Sequence, residues 1–192
     1  MILFLDRCPL YCWTDHTRQP PFQRWSVSLP VLLTDPGSPT PLPDAPAQRW
    51  VFDTAYTGEA FAWRHHLQTA GLDPDAERAG SVRHGSALGT SHLLSIRAAD
   101  LWLVSNIPAL RGKFLRIELD PGIAFRDVPQ RPDPEFHRPL IGLRALHRAG
   151  VRLQIDFARA TVSLWTPGPW HQRLSLIVRR VLSGYATVPP PW

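Results

Sequence analysis

The stretch Arg49-Trp50-Val51-Phe52-Asp53-Thr54-Ala55-Tyr56-Thr57-Gly58-Glu59-Ala60-Phe61-Ala62-Trp63 decides how the chain is read. Trp50, Val51 and Phe52 are bulky and β-prone, so they predict a strand with buried side chains. The strand runs straight into Asp53-Thr54, and a break containing Gly58 follows. A carboxylate at the end of such a strand is delivered to the floor of a cleft rather than to bulk solvent. Beside apolar walls its charged form is disfavoured unless hydrogen bonds or a cation compensate. Asp53 is therefore the first candidate for chemistry.

Outward from this stretch, Trp25, Val27, Leu29 and Val31 alternate with Ser26, Ser28 and Pro30, the period of a strand with one buried face. A second block, Arg138-Pro139-Leu140-Ile141-Gly142-Leu143-Arg144-Ala145-Leu146, carries two apolar residues and a glycine into a short helix that stops at Gly150. Val151, Leu153, Ile155 and Phe157 then alternate with polar residues, and a partner strand through Val162 and Leu164 completes a hairpin. Phe114 to Leu119 alternates as well and ends at the turn Asp120-Pro121-Gly122, before a proline-rich loop from Arg126 to Pro139. Ala60, Trp63, Leu67 and Ala70 recur at helical spacing, with Gly71 as the stop.

Together the two blocks resemble the retropepsin-like aspartic proteases, including their small bacterial and cellular members. The signature of that family is hydrophobic-Asp-Thr-Gly, often continued by an aromatic residue, Thr-Gly and an acid; here it reads Phe52-Asp53-Thr54-Ala55-Tyr56-Thr57-Gly58-Glu59, with alanine in place of the first glycine. Leu140-Ile141-Gly142 and its helix resemble the family's later hydrophobic-hydrophobic-Gly element, and the similarity spans residues 22–166 in order. The resemblance implies a mainly β, single-lobe acid-protease barrel with short helices. It implies an aspartic endopeptidase acting on polypeptide substrates, in which Asp53 is catalytic, without metal or cofactor. One chain holds one Asp-Thr motif, so a homodimer would supply Asp53 twice. Thr54 would brace the active-site loops, Ala55 and Tyr56 would border the substrate backbone, and Gly142 would let its segment pack beneath the Asp53 loop. Gly85 to Thr90, followed by the strands of Leu93 to Val104, matches the position of the family's flap, with Leu88, Gly89 and Thr90 at a tip closing over substrate. Ala55 also defines the alternative, a catalytically inactive dimerisation or peptide-binding module of the same fold.

The bulk numbers bound this reading. A chain of 192 residues suits one well-cored domain with additional segments. We expect an N-terminal extension over residues 1–21, the protease-like domain over 22–166 with a proline-rich loop at 35–47, and a C-terminal helix and tail over 167–192. In that last segment Leu174, Ile177, Val178, Val181 and Leu182 form an apolar stripe with Arg173, Arg179 and Arg180 off it, which predicts an amphipathic helix docking on its own domain or on a sister chain. The net charge of +5 is carried by scattered arginines without a basic run, which does not favour a nucleic-acid partner. Adjacent His65 and His66 point about 100° apart on a helix and do not make a metal pair. Cys8 and Cys12 have no second cysteine pair to complete a zinc site, and a reducing compartment is the simpler setting. With no signal-peptide pattern and no apolar run of membrane-spanning length, the expectation is a soluble, cytoplasmic protein.

Overall fold

The computed structural model describes residues 1–15, 20, 22–41, 45–53, 56, 58–76, 78–85, 91–127 and 138–166. Among these the protein is mainly β, with strands β1 (Ile2–Asp15), β2 (Phe22–Thr34), β3 (Gln48–Asp53), β4 (Ala60–Trp63), β5 (Arg78–Gly85), β6 (Ser91–Arg97), β7 (Asp100–Val104), β8 (Phe114–Glu118), β9 (Ile123–Arg126), β10 (Leu140–Gly142), β11 (Arg152–Asp156) and β12 (Thr161–Thr166), and short helices α1 (Arg64–Thr69) and α2 (Leu143–Arg148). They form an open mixed sheet in the order β11-β12-β1-β2-β3-β10-β4-β9-β6-β5, with β7 bridging β2 to β8. Two pairs are parallel, β3 with β10 and β4 with β9.

Alternation builds the core. Val27, Leu29, Val31 and Leu33 of β2 turn inward together with Trp50 and Phe52 of β3, and Leu101, Leu103, Ile117, Ile123, Phe125 and Ile141 join them. Each helix ends in a Schellman pattern. Gly71 and Gly150 adopt φ of 77° and 66°, Leu72 N–H returns to Leu67 O at 2.9 Å, and Val151 N–H returns to Leu146 O at 3.3 Å. Both glycine stops therefore lie where the sequence places them. The β5–β6 hairpin is anchored at its base by Arg97, whose buried guanidinium donates to Asp73 O, Ala98 O and Asp35 Oδ1 at 2.6, 2.7 and 2.5 Å.

Three stretches differ from expectation. Within the segment expected as an extension, residues 2–15 form β1, which pairs with β12 through its first half and with β2 through its second. Register shifts between Leu3 and Leu5 and between Leu5 and Cys8, with Arg7 at φ 48°, break the period, so alternation is hidden in the sequence although Phe4, Leu5 and Cys8 are buried. The helix expected from Ala60 begins only at Arg64, because Ala60 and Ala62 face the core as strand residues and a four-residue run cannot distinguish a period of 2 from one of 3.6. β9 lies between the Asp120-Pro121-Gly122 turn and the loop expected from Arg126, and is equally short.

Leu5 decides whether β1 belongs to the core. Leu5→Ala is expected to cost about 2–5 kcal/mol in urea denaturation, as for other large-to-small core changes. A cost within about 0.5 kcal/mol, typical of surface positions, would show that the segment is peripheral.

Candidate active site

Asp53 is the last residue of β3, and the parallel register sets it level with Gly142. The sheet alternates on either side of this point, so Asp53 shares a face with Val51 and not with Trp50 and Phe52. Following the register across the sheet from Val51 gives one row: Ser28, Val51, Leu140, Phe61, Ala124 and Ile96 on six neighbouring strands. None of the six belongs to the main core cluster, and Val51, Leu140 and Phe61 are half-buried. The acid thus sits beside an apolar band on the face of the sheet opposite the core. Extending the β2–β3 register by one residue sets Ser26 opposite Asp53.

The loop leaving Asp53 is held from within. Tyr56 N–H donates to Asp53 O at 3.3 Å, and Gly142 N–H donates to Glu59 O at 2.8 Å. The ring of Tyr56 lies where a side chain on Gly58 would be, since a Cβ there would come within 2.5 Å of its Cζ and hydroxyl. A Cβ on Gly142 would lie 2.1 Å from Gly58 O and 2.8 Å from Tyr56 O, so the β10 backbone touches the loop directly. Gly142 therefore lies directly against the loop that follows Asp53. Tyr56, expected to border a substrate, is 8% exposed, packs edge-on to Phe61 and donates its hydroxyl to Ala60 O at 3.3 Å. Burial, with the Glu59 carboxylate adding to it, pushes the Tyr56 phenol up to about 12. In this chain its ring supports the loop from the inside.

Thr54, Ala55, the hairpin tip Leu88, Gly89 and Thr90, and residues 167–192 lie outside the described residues. β5 and β6, on either side of that tip, pair as a hairpin, and β5 is a strand that the sequence reading does not name. That Leu140, Phe61 and Ser26 are neighbours of the Asp53 site is revealed by strand register and not by the sequence. The rings of His65 and His66 lie tilted by 42° with centroids 3.9 Å apart, and His66 Nδ1 accepts Trp63 N–H at 3.2 Å. Among the described residues no three His, Cys, Asp or Glu side chains are grouped to hold a metal ion, and no helix is long and apolar enough to cross a membrane. Cys8 is buried, and desolvation raises its thiol above the ordinary value, which disfavours the reactive thiolate.

Two outcomes follow from this packing. Gly142→Ala is expected to lower stability by about 1–3 kcal/mol or more by driving a methyl group into the loop backbone; unchanged denaturation would mean that the two segments do not touch. For Tyr56, the folded-state phenol titrates above its unfolded value of 10.0, so its contribution to stability is full below that pH and is lost as pH rises through about 12. An alkaline absorbance titration of the protein, which has three tyrosines, should show one component near 12 that disappears in Tyr56→Phe. Three components near 10 would show an exposed ring.

Compared with known proteins, the chain matches no family model, no curated protein and no solved structure.

Proposed function

We propose that the protein is a homodimeric aspartic endopeptidase, with a single-lobe retropepsin-like fold in each chain and a dyad made of Asp53 from both. The observation that carries this reading is the placement of Asp53 at a strand end, level with Gly142 and next to the half-buried band of Val51, Leu140 and Phe61. In the dyad one carboxylate, ionised, takes a proton from a water held between the pair; the other, protonated, donates to the carbonyl oxygen of the scissile peptide bond. Two like charges about 3 Å apart repel by roughly 5 kcal/mol at an effective dielectric of 20, so the pair keeps one proton over a wide range. Neither metal nor cofactor takes part. An extended polypeptide laid beside the dyad would set apolar side chains on the band, and the β5–β6 hairpin, through Leu88, Gly89 and Thr90, would close over it. Thr54 braces the two loops, Ala55 borders the substrate backbone, and the protein works in the cytoplasm.

Ala55 favours a second reading, in which the same dimer binds peptides without cleaving them. In the family the position is glycine and lies near the carboxylate, where an added methyl group is tolerated only if the backbone angles are not restricted to glycine.

Hydrolysis of casein, and of the protein itself, between pH 4 and 7 separates the readings. Wild type and Asp53→Asn are compared as dimers verified by light scattering. The substitution is expected to reduce cleavage by at least about 10²-fold, the scale of general acid–base catalysis. Equal activity of the two dimers would remove Asp53 from the chemistry. A wild-type dimer that binds the unfolded protein and leaves it intact would establish the silent module.

A further inference from the structure

Glu59 ends the loop that starts at Asp53, and it is a carboxylate only 6% exposed. Its Oε2 accepts Asp120 N–H at 2.7 Å, while its Oε1 lies 2.7 Å from Arg148 Nη2, off the line of a hydrogen bond. Arg148 Nη1 also lies 3.4 Å from Asp120 Oδ2. The backbone of the same residue does a second job, because Glu59 O accepts the N–H of Gly142.

Gly142 is the N-cap of α2 and Arg148 is its last residue, so both ends of this six-residue helix are tied to Glu59, one through its backbone and one through its side chain. The contacts close a circuit from Asp53 through the loop to Glu59, across to Arg148, back along α2 to Gly142, and from Gly142 to Asp53 by strand register. The Glu59 side chain is buried and that of Arg148 is 28% exposed, and the cost of desolvating the carboxylate offsets much of the attraction between the two. The pair nevertheless ties the far end of α2 to the residue whose backbone already holds its near end.

We infer that Glu59 and Arg148 are positioning residues whose ion pair holds the Asp53 loop at its catalytic register, a role that rests on the peptidase reading above. They act through Gly142 and the loop, and touch no reacting atom. The clamp fixes the height of Asp53 relative to its partner across the dyad, where a misplacement of about 1 Å can cost about 10²-fold in rate.

The test compares full-length dimers of wild type, Arg148→Met, Arg148→Lys and the double variant Glu59→Gln/Arg148→Met. Kinetics on a peptide that the wild type cleaves are read beside hydrogen exchange at the Gly142 and Tyr56 amides. Arg148→Met is expected to lower kcat by about 10- to 100-fold with KM unchanged and to speed exchange at Gly142. Arg148→Lys keeps the charge and should recover part of kcat. The double variant removes the stranded carboxylate, so its melting temperature should return toward wild type while kcat stays low. Wild-type kcat and exchange in Arg148→Met would overturn the inference, as would a double variant that recovers rate together with stability. A wild-type dimer without activity would overturn the peptidase reading and the catalytic role with it, while faster exchange at Gly142 in Arg148→Met would still show the clamp.

Discussion

The contact between the Gly142 backbone and the loop after Asp53 is the constraint on which the site depends, and topology forces it. β3 and β4 are consecutive in sequence yet are not neighbours, because β10 lies between them. The connection from Asp53 to Ala60 must therefore pass over the end of β10, and Gly142 is the residue at that end. Strand spacing leaves no room there for a side chain, since even a methyl group on Gly142 would come within 2.1 Å of Gly58 O. Glycine is required by the crossing itself, independently of any backbone angle, since Gly142 has an ordinary extended conformation.

The same crossing separates two duties between the faces of the sheet. Trp50, Phe52, Ile141, Ala60 and Ala62 point into the main core and carry the apolar burial that stabilises the three neighbouring strands β3, β10 and β4. Val51, Asp53, Leu140 and Phe61 point the other way, and the core does not use them. This second face is itself partly packed, since Ser28, Ala124 and Ile96 of the same row are buried while Val51, Leu140 and Phe61 are half-buried. The ring of Tyr56 fills the gap above Gly58 and links the apolar band to the loop.

The parts of this arrangement that were legible in the sequence are those written in local order. Period-2 runs in β2, β11 and β12, the glycine stops after both helices and the Asp120-Pro121-Gly122 turn each need only a few adjacent residues to read, and Gly122 does adopt φ 148°. Asp53 and Gly142 stood out because two motifs occur in a fixed order. What escaped needs information from distant strands. The bulges that conceal β1 are defined by its partner β12, the face of Leu140 and Phe61 by register, and the buried state of Glu59 by a helix far along the chain. A charged residue after Thr57-Gly58 carries no local sign that it will be desolvated.

A loop stretched over a strand end is also the right carrier for a group that must meet its own copy. In the proposed dimer each Asp53 approaches its symmetry mate, and repulsion between the two grows as they close, so an unrestrained loop would relax by moving apart. Here the loop cannot retreat along its own strand direction, because β10 lies beneath it and the Gly142 N–H holds it at Glu59. On the half-buried face Tyr56 and Phe61 pack against each other edge to face. Rigidity of this kind need not come from tight side-chain interlock around the acid. It comes from placing the acid where the chain crosses over another strand, with the end of that crossing tied to Gly142 and Arg148 through Glu59.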